Sequence, residues 1–267
     1  MKRLLPADCL PCGCISKEML SSFVSSCFKD WGKYGEGAHI GLTECITHSR
    51  SATGTQMLMG VSGSSALVSF RGYGRFHQVL DDVSTLAVPF TIVNSGARVN
   101  AIFLNAYMEY RDVLMEYVSR HDLRSVHITG HSMGAAMATI AAVDIASTAG
   151  VSSYCYTFGS PKVGDGWFRK VYADKVESTS RYVIPSDPIP HYPWEKDYVH
   201  VCRSTLVGSR IEELGLWMGM VKHFFMVMFR MSSKKQRGHV VTNFAGVDAH
   251  ELYNYAFSVR KLSDDLI

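Results

Sequence analysis

One strand–turn–helix signal constrains this chain more than any other. The β-branched run at 126–129 leads into Gly130-His131-Ser132-Met133-Gly134, and an Ala-rich stretch follows over 135–146. Apolar residues that change from strand-like to helical spacing across so short a turn predict strand, tight turn and helix. Gly130 and Gly134 bracket Ser132 in the G-x-S-x-G pattern of a nucleophile elbow. Side chains at the two glycine positions would collide with the strand and the helix, so glycine there lets the serine oxygen project above a sheet edge. The turn also aims the unpaired N–H groups of a helix N-terminus at that oxygen. Ser132 is the candidate nucleophile.

The rest of the chain is consistent with a sheet to hold that turn. With 267 residues and 47% hydrophobic content, one domain with a full core is expected over 1–267, including an N-terminal arm at about 1–15 and an apolar helical insertion at about 206–231. A net charge of +3 gives no electrostatic case for nucleic acid. Pro6, Ala7 and Asp8 cut short the apolar run after Met1-Lys2-Arg3, which predicts an intracellular chain, cytoplasmic or peripherally membrane-associated. Seven scattered cysteines favour free thiols over a disulfide framework. Cys9, Cys12 and Cys14 have no Cys/His pair at zinc spacing elsewhere, so no metal and no cofactor is expected. Acylation of these cysteines is the other chemistry they offer.

In order, residues 16–31 place Met19, Phe23, Cys27 and Trp31 on one stripe of an amphipathic helix. Residues 55–61 and 66–70 read as a hairpin around Ser62-Gly63-Ser64-Ser65, and 100–121 as a helix. Strands are expected at 125–130, 153–158 and 181–184, with a short helix at 166–173. Strands alternating with helices predict an α/β fold: a mostly parallel sheet covered by helices on both faces. Reactive groups in such sheets gather beyond the carboxyl ends of the strands, where Ser132 and Asp187 both fall.

A serine hydroxyl needs an imidazole to take its proton and a carboxylate to hold that imidazole. Asp187 is the candidate acid, and five histidines follow it. His191 shares its loop, His200 sits in the strand-like run 198–202, and His223 lies within the apolar helix. His239 and His250 remain. His131, beside the serine, is expected to position backbone rather than carry protons.

At 206–231 Lys222 interrupts the apolar run, and placing it at mid-bilayer would cost about 2.5–3.5 kcal/mol. A spanning helix is therefore not expected. Arg230, Lys234, Lys235 and Arg237 follow, so 206–237 reads either as a peripheral contact with an anionic membrane or as a helix buried against the domain.

From about residue 55 to about residue 255 the chain resembles the class 3 lipases, the fungal triacylglycerol lipase-like branch of the α/β-hydrolases. Val68-Ser69-Phe70-Arg71-Gly72 resembles the strand entering that family's oxyanion loop, and Tyr156-Thr157-Phe158-Gly159-Ser160-Pro161-Lys162-Val163-Gly164 its most distinctive segment. Asp187-Pro188-Ile189-Pro190 resembles its acid loop and His250-Glu251-Leu252-Tyr253 its histidine loop. The resemblance implies an α/β-hydrolase fold, a Ser132–Asp187–His250 triad in the family's chain order, and hydrolysis of acylglycerol or phospholipid esters without cofactor. It implies oxyanion donors at the backbone N–H groups of Met133 and Tyr73, where Tyr73 departs from the small hydroxyl residue usual in the family. Asn100 and Ile102 also stand where His and Gly are usual. Residues 74–98 occupy the place of the family's lid; an ordinary surface loop with a short helix is the other expectation. An acyltransferase or thioesterase with the same triad, or an inactive lipid-binding relative, would share these motifs. Partners are expected to be lipid or small ester substrates, with oligomeric state open.

Overall fold

The computed structural model describes residues 42, 44–49, 54–72, 85–207, 250, 254, 255 and 258. A seven-stranded sheet organises them. Strands β1 (Glu44–Ser49), β2 (Gln56–Ser62) and β3 (Ser65–Arg71) form an antiparallel meander; β6 (Ser125–His131), β7 (Ser152–Phe158), β8 (Ser178–Val183) and β9 (Ser204–Leu206) continue from β3 in parallel, in the order β1-β2-β3-β6-β7-β8-β9. Between them, β4 (Ala87–Pro89) and β5 (Arg98–Asn100) make a separate two-stranded ribbon. β2 and β3 are buried along almost their whole length, which is why their apolar runs are continuous rather than alternating.

Register sets the site. Arg71 pairs with His131, His131 with Phe158, and Phe158 with Tyr182. Four neighbouring strands therefore end nearly level, and the segments after them, beginning with Gly72, Ser132, Gly159 and Ile184, leave the sheet side by side.

Helix α1 (Ala101–Arg120) starts at Asn100, whose Oδ1 accepts from the N–H groups of Ile102 at 2.9 Å and Phe103 at 3.4 Å. Its buried stripe of Phe103, Tyr107, Tyr110, Leu114 and Val118 follows helical spacing. Phe70 of β3 meets the rings of Tyr107 and Tyr110 edge-on, with centroids 6.3 and 6.2 Å apart. Helix α2 (Met133–Asp144) is buried at every position, so its alanines face protein all round. A π-turn over Ile145–Ala149 ends it, closed by Gly150 at φ 66°. At the junction Asp144, fully buried, accepts from Tyr107 Oη at 2.6 Å, Arg111 Nε at 2.7 Å and Thr148 Oγ1 at 2.6 Å. That carboxylate ties α1 to the far end of α2. Helix α3 (Gly166–Lys175) is capped by Asp165, whose Oδ1 accepts from Phe168 N–H at 2.8 Å.

Two expectations differ. The apolar run 198–202 reads as a strand, yet it makes only an isolated antiparallel bridge from Val199 to Gly164. His200 Nε2 bonds the Pro190 carbonyl at 2.7 Å instead, and the place beside β8 is taken by β9. The described part of 74–98 holds no helix: residues 85–98 run through β4, a turn and the start of β5, with Phe90 buried against Phe168. The rest of that segment, residues 73–84, lies outside the described residues, as do the helix expected at 16–31, the three N-terminal cysteines, His239, and the insertion from 208 onward. Among the described residues no helix is long and apolar enough to cross a membrane.

Candidate active site

Ser132 sits between β6 and α2 with φ 58° and ψ −128°, the one non-glycine residue with positive φ among those described. That backbone region belongs essentially to glycine and costs about 1–3 kcal/mol for other residues. Neighbours hold it there. Its N–H donates to Phe158 O at 3.0 Å, and its carbonyl accepts from Ala135 and Ala136 N–H at 3.0 and 3.3 Å. The two flanking glycines have a steric cause. A Cβ on Gly130 would lie 2.2 Å from Gly134 O, and one on Gly134 would lie 2.2 Å from Phe70 O. The turn closes so tightly on β6 and β3 that neither position has room for a methyl group.

Asp187 leaves β8 on a turn in which its N–H donates to Ile184 O at 3.0 Å, and its Oδ1 accepts from Ile189 N–H at 2.9 Å. His250 Nδ1 lies 2.8 Å from Asp187 Oδ2, and His250 Nε2 lies 2.7 Å from Ser132 Oγ. All three residues are buried. A carboxylate only accepts, so Nδ1 carries the hydrogen and Nε2 is left to accept from the serine hydroxyl. The structure thus brings together Ser132, Asp187 and His250.

Met133 opens α2, so its N–H belongs to the first turn and has no acceptor within the helix. Tyr73 lies outside the described residues. The residue before it, Gly72, is wedged against the elbow: a Cβ there would come within 2.8 Å of Gly134 N and 3.2 Å of Met133 Cβ. The chain therefore passes beside Met133 immediately before reaching position 73.

Three further residues complete the site. Tyr255 donates to Asp187 Oδ2 at 2.5 Å and accepts from Ile184 N–H at 3.2 Å. Burial first, then the Asp187 charge and the hydrogen bond to it, push the Tyr255 hydroxyl well above its ordinary pKa, so it remains a donor. Gly159, at φ 57°, has no room for a side chain: a Cβ would lie 2.9 Å from Asp187 Oδ2 and 3.2 Å from His250 Cε1. His131 places Nε2 2.8 Å from the main-chain carbonyl of His250. A signal for Gly159 was present in its position just after β7, level with the elbow. Tyr255 carried only its spacing from His250. Among the described residues no group of three His, Cys, Asp or Glu side chains is arranged to hold a metal ion.

Residues 67–196 match the model of the lipase (class 3) family. The chain is 30% identical over 149 residues to a lipase of Rhizomucor miehei, covering 53% of this chain and 41% of that one. It is 34% identical over 141 residues to a chloroplastic phospholipase A(1) of Arabidopsis thaliana, covering 45% and 32%. The matches span between 32% and 41% of these curated relatives' length. Among solved structures, a lipase from Rhizopus microsporus var. chinensis superposes with a TM-score of 0.61 at 23% identity, covering 71% of this chain and 74% of that one. A triacylglycerol lipase whose catalytic centre is formed by a serine protease triad superposes with a TM-score of 0.63 at 21% identity, covering 73% and 80%. These likenesses establish the α/β-hydrolase fold.

Proposed function

We propose that this chain, whose residues 67–196 match the lipase (class 3) family, is a member of that family and a serine hydrolase that cleaves carboxylic esters of acylglycerols or phospholipids. The observation that carries this reading is the unbroken line from Asp187 Oδ2 through the His250 ring to Ser132 Oγ, at 2.8 and 2.7 Å. Its relatives include a phospholipase A(1) and secreted mono- and diacylglycerol lipases, which supports lipid esters as the substrate class.

The reaction follows from proton positions. Ser132 Oγ attacks the acyl carbonyl while its proton passes to His250 Nε2, and Asp187 stabilises the imidazolium that forms. Negative charge on the former carbonyl oxygen falls beside the first turn of α2, where Met133 N–H donates; Tyr73 N–H is the proposed second donor. Collapse breaks the ester C–O bond, and His250 returns the proton to the leaving alcohol. A water then attacks the acyl-serine ester by the same route, freeing the acid and regenerating Ser132.

A fluorophosphonate probe tests this directly. Wild type should be labelled and should hydrolyse soluble short-chain esters, and Ser132→Ala should do neither. An unlabelled wild-type chain, or undiminished labelling of Ser132→Ala, overturns the assignment. Transfer to alcohol acceptors in preference to water would reassign the same triad to an acyltransferase.

Peripheral membrane contact through 206–237 is part of this proposal, motivated by the apolar run ending in Arg230, Lys234, Lys235 and Arg237. Replacing Lys234, Lys235 and Arg237 with Gln should weaken binding to anionic vesicles. Binding indifferent to that change and to salt would sink it.

A further inference from the structure

We infer that His131 is a positioning residue that fixes the main chain of His250, so that the strand end presenting the nucleophile also holds the segment presenting its base. This rests on the hydrolase reading above and goes beyond it. His131 is the last residue of β6 and the immediate neighbour of Ser132. Its Nε2 lies 2.8 Å from the His250 carbonyl oxygen, a contact between positions 119 residues apart. A carbonyl only accepts, so Nε2 is the protonated nitrogen and donates. The His131 ring lies tilted at 31° to the His250 ring with centroids 4.7 Å apart, and meets the edge of Tyr255 at 5.5 Å.

The two triad hydrogen bonds act on the His250 ring and do not by themselves fix its backbone. The contact from His131 acts on the backbone directly. With Nδ1 held by Asp187, Nε2 by Ser132 and the carbonyl by His131, both ring and backbone are located relative to the ends of the neighbouring strands β6 and β8. Displacing a catalytic group by about 1 Å costs on the order of 100-fold in rate. Burial and the nearby His250 lower the His131 pKa well below 6.5. It therefore stays neutral when His250 becomes charged in the reaction, and two cations do not face each other.

The test compares the full-length wild type with His131→Phe, which keeps a ring but no donor, and His131→Gln, which keeps an N–H donor. Hydrolysis of a soluble p-nitrophenyl ester and the labelling rate by a fluorophosphonate probe are measured on each, and folding is checked by denaturant unfolding. His131→Phe should lower kcat and the labelling rate about 10- to 100-fold with KM nearly unchanged. His131→Gln should recover most of that loss. In the proton NMR spectrum the deshielded His250 Nδ1–H resonance should survive in the Gln variant and broaden in the Phe variant. Should His131→Phe not fold, His131→Leu takes its place as the donor-free variant. Wild-type kcat in a folded donor-free variant overturns the inference, as does a folded Gln variant as impaired as the donor-free one. A wild-type chain that is itself unlabelled overturns the hydrolase reading instead, so the two failures are distinct.

Discussion

Tyr255 and His250 donate to the same oxygen of Asp187, at 2.5 and 2.8 Å, while the other oxygen is held by the Ile189 N–H at 2.9 Å. The carboxylate that steadies the imidazole is therefore itself steadied from two sides. The Tyr255 hydroxyl also receives the Ile184 N–H at 3.2 Å, linking the acid to the end of β8.

Removing that hydroxyl should lower the rate. Tyr255→Phe keeps the ring against Phe158 and His131 but removes one charge-assisted donor, worth about 1.5–3 kcal/mol. We expect kcat/KM to fall about 10- to 100-fold. The deshielded His250 Nδ1–H resonance should shift in the proton NMR spectrum, because its acceptor Asp187 Oδ2 has lost a competing donor. Unchanged kcat/KM in the folded variant would assign Tyr255 to packing alone.

The backbone at Ser132 should reverse the usual order of alanine and glycine. At φ 58° and ψ −128°, glycine is unstrained and alanine is not. Ser132→Gly should therefore be more stable than Ser132→Ala by about 1 kcal/mol, although both are inactive. Urea midpoints of the two variants give the answer, and alanine equal to or above glycine would refute strain at this turn.

His127 makes stability depend on pH. Its ring stacks on Tyr154 and Tyr156, with centroids 5.1 and 6.0 Å away, and burial lowers its pKa from 6.5 to about 4. Between those values the unfolded chain binds a proton that the folded chain refuses. The associated stability is complete above pH 6.5, is lost as pH falls, and stops changing below about 4. At pH 5 this one group should cost about 2 kcal/mol relative to pH 8. Denaturant unfolding at the two pH values should show the loss in wild type and a smaller one in His127→Gln. Equal losses would exclude His127 as the source. His200, lowered by burial to about 3, works in the same direction.

Asp144 is the polar tie between α1 and α2. Asp144→Leu would leave Tyr107 and Arg111 without their acceptor, and Arg111 is only partly exposed to water. Unfolding free energy should fall by about 3 kcal/mol. The double variant with Arg111→Met should recover part of the loss, because the cation is then gone as well. No recovery would mean that the cost lies in shape rather than charge.

Much of the sheet was legible beforehand, because its cues are local. The apolar runs of β2 and β3 around Gly63 and the two glycines around Ser132 each state a nearby steric or hydrogen-bonding requirement. The run 198–202 shows where local cues stop. Its apolar run is that of a strand, but backbone pairing depends on which edge is open, and β9 occupies the one beside β8. β4 and β5 were missed for a related reason: strands of three residues carry too little period to stand out.

The site divides in the same way. The sequence by itself determined the sharp turn at Ser132, the loop position of Asp187 and a short set of histidines, since these depend on residue size and chain order within a few positions. Tertiary structure alone decided that His250, 118 residues from Ser132, reaches its hydroxyl. It also recruited Tyr255, Gly159 and His131 to hold that arrangement. Level strand ends bring such distant positions together, and that register is set by pairing across the whole sheet, which no short stretch of chain encodes.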